Sequence, residues 1–197
     1  MLNGESLSSS YEIRTHSKVN EFVDAAYRFC RLFEESPERP DVWCKDVLST
    51  LSMLYAAALE LPEVTIEGAP DVPDIYDVAV KEWSSVYSLV SNQLKSQRFY
   101  WHYFEPTDPV DEPAKECSMG DLADDLADIY RDVKPGLNIW GSEHDEFLPS
   151  ALFDWSHVLL ETHWGIHAVS ALPVLHFLVY MRGIDARLHE NVDLPIL

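Results

Sequence analysis

Apolar positions return at intervals of three and four along most of this chain, the signature of helices that bury one face and wet the other. Val19, Phe22, Val23, Ala26, Phe29, Cys30 and Phe33 form such a stripe between Lys18 and Glu35, with Ser17 in place to cap it. Ser36-Pro37-Glu38-Arg39-Pro40 interrupts the stripe. Pro40 or Asp41 then opens a second one through Val47, Leu48, Leu51, Leu54, Tyr55, Ala58 and Leu61, and the short connection predicts an antiparallel hairpin of helices. After a loop at 63–73, a third helix is predicted from Asp74 to about Gln97 through Val80, Trp83, Val86, Tyr87, Val90 and Leu94. The aromatic cluster Phe99 to Phe104 reads as a plug on the bundle end, and Glu105 to Glu116, with Pro106, Pro109 and Pro113, as an exposed linker. Ser118 and Asp121 resemble a capping box for a fourth helix reaching Lys134, which Pro135-Gly136 ends or kinks. No segment alternates for long enough to predict a strand.

Phe147 to Met181 differs in kind, because its thirty-five residues carry only Asp154 and Glu161 as charges and are apolar around nearly the whole circumference. A helix of that composition belongs at the centre of a bundle. Pro149 and Gly183 mark its boundaries, Pro173 predicts a bend, and Trp164-Gly165 predicts a tight helix crossing. Its uncharged part, Thr162 to Met181, approaches membrane-spanning length, yet His163, His167, His176, Ser170 and Pro173 lie inside it without a flanking basic cluster, so it reads as protein core. The pattern predicts an all-α, single-domain helical bundle of about five to six helices over 17–183, around a central apolar C-terminal helix. A flexible tail at 1–16 and a C-terminal tail at 184–197 flank it.

Composition adds charge. Thirty-four acidic against 14 basic residues give a formal net charge of -20, which disfavours direct binding to nucleic acid or a membrane surface and would attract a basic protein partner. The same balance also serves to keep an ordinary protein in solution. Cys30, Cys44 and Cys117 are odd in number and widely spaced, as expected of reduced thiols in a cytoplasmic protein. Met1 to His16 lacks the apolar segment of a secretory signal.

Candidate chemistry lies on two helices. On a helical wheel Asp121, Asp124, Asp125, Asp128 and Asp132 fall within about a third of the circumference, opposite Leu122, Leu126, Ile129, Tyr130 and Val133. Only Arg131 and Lys134 are near enough to relieve their mutual repulsion; the row is either a solvated acidic face or a functional stripe. His163 and His167, four apart, project from one helix face and can share a metal ion, while His157 pairs by spacing with Glu161. If the two helices are antiparallel neighbours, Asp124 or Asp128 meets His163 and His167. That contact is either a mixed oxygen and nitrogen site for zinc, manganese or iron, or a set of buried Asp-to-His hydrogen bonds that fixes helix register. The chain has no G-x-S-x-G elbow, no phosphate-cradling glycine loop and no H-E-x-x-H motif, and the residues lean against an enzyme.

Gly120-Asp121-Leu122-Ala123-Asp124-Asp125-Leu126-Ala127-Asp128-Ile129-Tyr130-Arg131-Asp132 with Gly136-Leu137 resembles the acidic helix of the bacterial domain-of-unknown-function family 5063, and Trp155, His163-Trp164-Gly165 and His167 resemble its C-terminal signature. The resemblance covers about residues 18–181 and implies an all-helical fold with no established activity. It also implies that the acidic stripe and the His163/His167 couple belong to one shared feature. The leading expectation is a non-enzymatic acidic module that engages a basic protein partner, as an antidote, immunity or regulatory protein would. Asp121, Asp125, Asp132, His157, Glu161 and Trp164 are then its contact residues or a buried polar network. The alternative is a metal-dependent enzyme or sensor with His163, His167, Asp124 and Asp128 as ligands. No cofactor is expected apart from that divalent ion.

Overall fold

The computed structural model describes residues 6–66, 68, 70–102 and 118–182, and they form a helical bundle with one small hairpin of strands. The helices are α1 (Ser10–Thr15), α2 (Ser17–Arg31), α3 (Pro40–Ala58), α4 (Val80–Leu94), α5 (Leu122–Trp140), α6 and α7. Helix α6 runs without a gap through Leu148–Phe153, a π-helical stretch at Asp154–Val158, and Leu159–Thr162. Helix α7 comprises Trp164–His176 and a π-helical end at Phe177–Arg182. Strands β1 (Phe99–His102) and β2 (Ser118–Asp121) pair antiparallel, from Phe99 opposite Asp121 to His102 opposite Ser118. The all-α expectation therefore holds, with a hairpin that periodicity did not foresee, since four residues are too few to display alternation.

Helix α5 is the hub, packed against α2, α4, α6 and α7. Leu122, Leu126, Ile129 and Val133 are fully buried on one side, and the opposite side is buried as well. The C-terminal apolar run was expected at the centre, and this is corrected. Helix α7 buries Trp164, Ala168, Ala171 and Leu175 but leaves Ile166, Val169, Phe177, Tyr180 and Met181 substantially exposed. The stretch Trp164–Met181 is long and apolar enough to cross a membrane by length and composition, and a third of it is buried inside the bundle.

Small residues let α5 occupy its position. A Cβ on Gly136 would fall within the Trp155 ring of α6, so glycine admits the indole against the helix backbone, and its Nε1 donates to the Val133 carbonyl at 3.1 Å. Helix α5 therefore continues through Pro135-Gly136 to Trp140, where an end or a kink was expected. Proline removes one backbone donor, and tertiary packing on all sides outweighs that local cost. Gly165 plays a different part from the expected helix crossing. His163, at φ -143 and ψ -85, breaks the helix, and a Cβ on Gly165 would collide with the Leu160 carbonyl of the preceding turn.

Other boundaries shift for local reasons. Residues 6–16, expected as part of a loose tail, pack on the bundle: Ser9 and Glu12 form a capping box, Ile13 is buried, and Leu7 bridges Val64. His16 stands at the N-cap of α2 and Ser17 is its first residue, so Ser17 does not cap. Before α4, Asp74–Tyr76 is a separate 3-10 turn, and α4 stops at Lys95, whose φ of 50 is left-handed. Ser118 lies in β2; the cap of α5 is Asp121, whose side chain accepts from the Ala123 amide at 2.9 Å. Phe99–His102 are a strand rather than a plug. The expectations for 1–5, 103–117 and 183–197, including the proline-rich linker, Cys117 and the C-terminal tail, fall outside the described residues. Cys30 and Cys44 are free and buried, and burial raises both thiols to about 12.

Candidate metal centre

The acidic row faces inward. Asp125, Asp128 and Asp132 are 6%, 8% and 8% exposed, so the expectation of a solvated acidic face is overturned for these residues. They lie between α5 and α7, where Asp125 meets His167 and Asp132 meets His163. The chain order reverses between partners, and the two helices are therefore antiparallel neighbours. The His163 and His167 rings lie edge to face with centroids 4.8 Å apart.

Each imidazole is oriented by a carboxylate. Nδ1 of His167 lies 2.8 Å from Asp125 Oδ1, and Nδ1 of His163 lies 2.6 Å from Asp132 Oδ2. An ionised carboxylate only accepts, so each Nδ1 carries the proton and, in the neutral ring, Nε2 keeps its lone pair. Both Nε2 atoms then face the same oxygen, Asp128 Oδ2, at 3.4 Å from His167 and 3.9 Å from His163. These separations exceed a good hydrogen bond. They fit two ligands of one ion, since atoms about 2.0–2.1 Å from a shared tetrahedral centre sit roughly 3.4 Å apart. One ligand atom each from Asp128, His163 and His167 falls within a 4.8 Å span.

The outer oxygens of the carboxylates have donors of their own. Asp128 Oδ1 accepts from the Trp83 indole at 2.8 Å and pairs with Arg131 Nη1 at 2.9 Å, which leaves Oδ2 for the imidazoles. Asp125 Oδ2 accepts from the Tyr100 hydroxyl at 2.7 Å, and Arg131 Nε lies 3.3 Å from Asp132 Oδ1. Arg131 Nη2 is 3.5 and 3.3 Å from the two nitrogens of His163, so it lies over the ring face rather than along a lone pair. Ligating histidines that donate their second nitrogen to a carboxylate are the usual outer shell of a metal ion. Arg131 pairs with Asp128 and Asp132 but not with Asp125, so the three buried carboxylates carry an excess of two negative charges over this guanidinium, which a divalent ion or two imidazolium groups would balance.

The electrostatics follow from this crowding. The hydrogen bond to Asp125 raises the His167 pKa above 6.5 against the opposing effect of burial, with Asp128 and Asp124 adding to the rise. Burial, and then the charge of Asp128, raises the Asp124 carboxyl. Asp124 is thus beside the cluster and half-buried but outside the three-residue group, whereas the other three expected ligands come together. The side chains of His163 and His167 are 35% and 22% exposed, which leaves the cluster open to solvent on one side.

The remaining expected residues divide. Asp121 caps α5, accepts from Tyr87 at 3.1 Å and pairs with Arg98 at 3.3 Å, so it is a part-buried polar contact of α5, while Asp125 and Asp132 are buried polar partners of the two rings. Trp164 is a core residue whose indole donates to the Trp155 carbonyl at 3.3 Å. The His157 and Glu161 couple does not form: His157 reaches Glu63 at 2.9 Å, and Glu161 is exposed. The π-helical stretch through His157 changes the register on which that pairing relied. Trp83 and Tyr100 escaped the sequence reading, because they contact their carboxylates from α4 and β1. The available signal was generic: a buried indole or phenol needs a partner for its polar atom.

The family described as a domain of unknown function (DUF5063) matches residues 14–181, and the chain belongs to it. Among solved structures it is similar to protein BF1032 from Bacteroides fragilis, with a TM-score of 0.69, 21% identity, and coverage of 85% of this chain and 99% of that one. That likeness shows the fold. No curated protein matches the chain.

Proposed function

We propose that this protein binds one divalent first-row metal ion, zinc, manganese or iron(II), through Asp128, His163 and His167, with Asp125 and Asp132 orienting the two rings. The observation that carries the reading is the convergence of both Nε2 lone pairs on Asp128 Oδ2 while each Nδ1 is tied to its own carboxylate. Three protein ligands on a partly exposed site leave positions for water, the arrangement of reactive rather than closed structural centres. A bound ion would lower the pKa of such a water and supply a nucleophile near neutral pH. Asp124, beside the cluster, is placed to take or hold a proton from it.

Elemental analysis of protein purified without chelator tests the reading, together with melting curves on adding zinc or manganese. About one ion per chain and a higher melting temperature are expected, with both lost in His163→Ala and His167→Ala. Metal content far below one ion per chain with no thermal response overturns it. Arg131 on Asp128 favours a second reading, a metal-free polar latch that fixes the register of α5 and α7. That latch predicts that Asp128→Asn lowers stability equally with and without added metal. The reading as an acidic module for a basic partner rests on the net charge of -20, since the row that motivated it faces inward. Retention of a basic partner at low but not high salt would support it.

A further inference from the structure

Next to the candidate metal centre, and sharing Arg131 and Asp132 with it, lies a cavity of different character. A cleft of about 310 Å³ opens between α5, α6 and the segment before α4, at the low end of the size range of small-molecule sites. Most of its wall is apolar, including Val72, Val78, Ile139, Trp155 and Leu159, and three carboxylates line it: Asp132, already engaged by His163 and Arg131, and Asp77 and Asp154, which are close enough to repel each other. Asp154 opens the π-helical stretch of α6 and is half-buried, and its carboxylate makes no hydrogen bond or ion pair among the described residues. Arg131, on the same wall, is engaged with Asp128 and Asp132 and does not neutralise the pair.

We propose that this cleft binds a small primary alkylammonium ion, with its charged head between Asp154 and Asp77 and its alkyl body along Val78, Trp155 and Leu159. A half-buried carboxylate with a second, exposed carboxylate near it is costly to ionise, and a monovalent cation placed between the two removes that cost. The apolar wall adds the transfer energy of each methylene and selects an organic cation over a hydrated inorganic one. An anion would meet two uncompensated carboxylates, and a neutral alcohol would leave them unpaired. Burial, and then Asp77, holds the Asp154 carboxyl above its ordinary value in the free cleft. Arg131 and Asp132 border both the cleft and the candidate metal centre, but the two carboxylates proposed to hold the ammonium head, Asp77 and Asp154, lie outside the three-residue cluster, so amine binding and metal binding are read by separate variants.

Calorimetric titration of the full chain with pentylamine, with 1-pentanol of the same length, and with Nα-acetyl-lysine amide tests it, alongside the shift of the Trp155 indole proton by NMR. Pentylamine is expected to bind at least about tenfold more tightly than pentanol. Asp154→Asn is expected to abolish that preference while leaving pentanol unchanged, and Asp77→Asn to reduce it. Tighter binding of pentylamine than of the lysine derivative assigns the cleft to a free amine, and the reverse order to a lysine side chain. Equal binding of amine and alcohol, or amine binding that survives in Asp154→Asn, overturns the proposal. So does a Trp155 proton unmoved by saturating amine.

Discussion

On α5, Asp125, Asp128 and Asp132 are no more than 8% exposed, whereas on α7 Val169, Phe177 and Tyr180 are 48%, 51% and 60% exposed. Carboxylates lie inside and large apolar side chains outside, on two helices that pack against each other. A position is buried when neighbouring elements cover it, and α5 is covered by four helices while α7 has bundle on one side only. Polarity then decides what the covered position needs. The carboxylates need donors, and imidazole, indole, phenol and guanidinium groups supply them from four different elements.

The largest effect that should separate the two helices comes from truncation. Leu126→Ala, on fully buried α5, should cost about 3 kcal/mol of unfolding free energy in a denaturant titration, and Val169→Ala on α7 less than about 0.5 kcal/mol. Equal costs would mean that the outer face of α7 is covered in solution. Next in size, Trp83→Phe removes the indole donor from Asp128 and should cost about 2 kcal/mol by the same measurement, since a charged acceptor inside the bundle loses a partner.

A pH effect follows for the metal-free protein. Because the folded pKa of His167 is raised above 6.5, chiefly by Asp125, its contribution is fully present below 6.5 and is lost as pH rises through the elevated folded value. Melting temperatures recorded in chelator should therefore show a step downward over that interval on going from acid to alkaline, and His167→Gln should flatten it. The smallest change is expected at the neighbouring cleft. The Asp154 carboxyl is raised by burial and by Asp77, so its charge opposes folding at neutral pH, and Asp154→Asn should raise the melting temperature modestly.

Much of this architecture could be read along the chain. The stripes of α2 and α3, the break at Ser36 to Pro40, and the two helix faces that carry the acidic row and the His163/His167 couple needed only spacing of three and four, whereas the meeting of those faces was an expectation conditional on antiparallel packing. What misled was the assumption that the most apolar segment lies deepest. Pro135-Gly136 was read as an end or a kink, when the missing side chain of Gly136 is what lets Trp155 against the helix. The hairpin of β1 and β2 was illegible because its strands pair across fifteen intervening residues and are four residues each.

The sequence by itself determined the helical class, the amphipathic hairpin of α2 and α3, the family, and which two side-chain types could meet. These depend on local periodicity and residue chemistry, which a linear chain displays. Only the tertiary structure decided that α5 is the hub, that Asp125 and Asp132 orient the rings while Asp128 faces both, and that Trp83 and Tyr100 hold the outer oxygens. Which atoms meet depends on how antiparallel helices are set in rotation and register, and that is fixed by packing of the whole core rather than by any one segment.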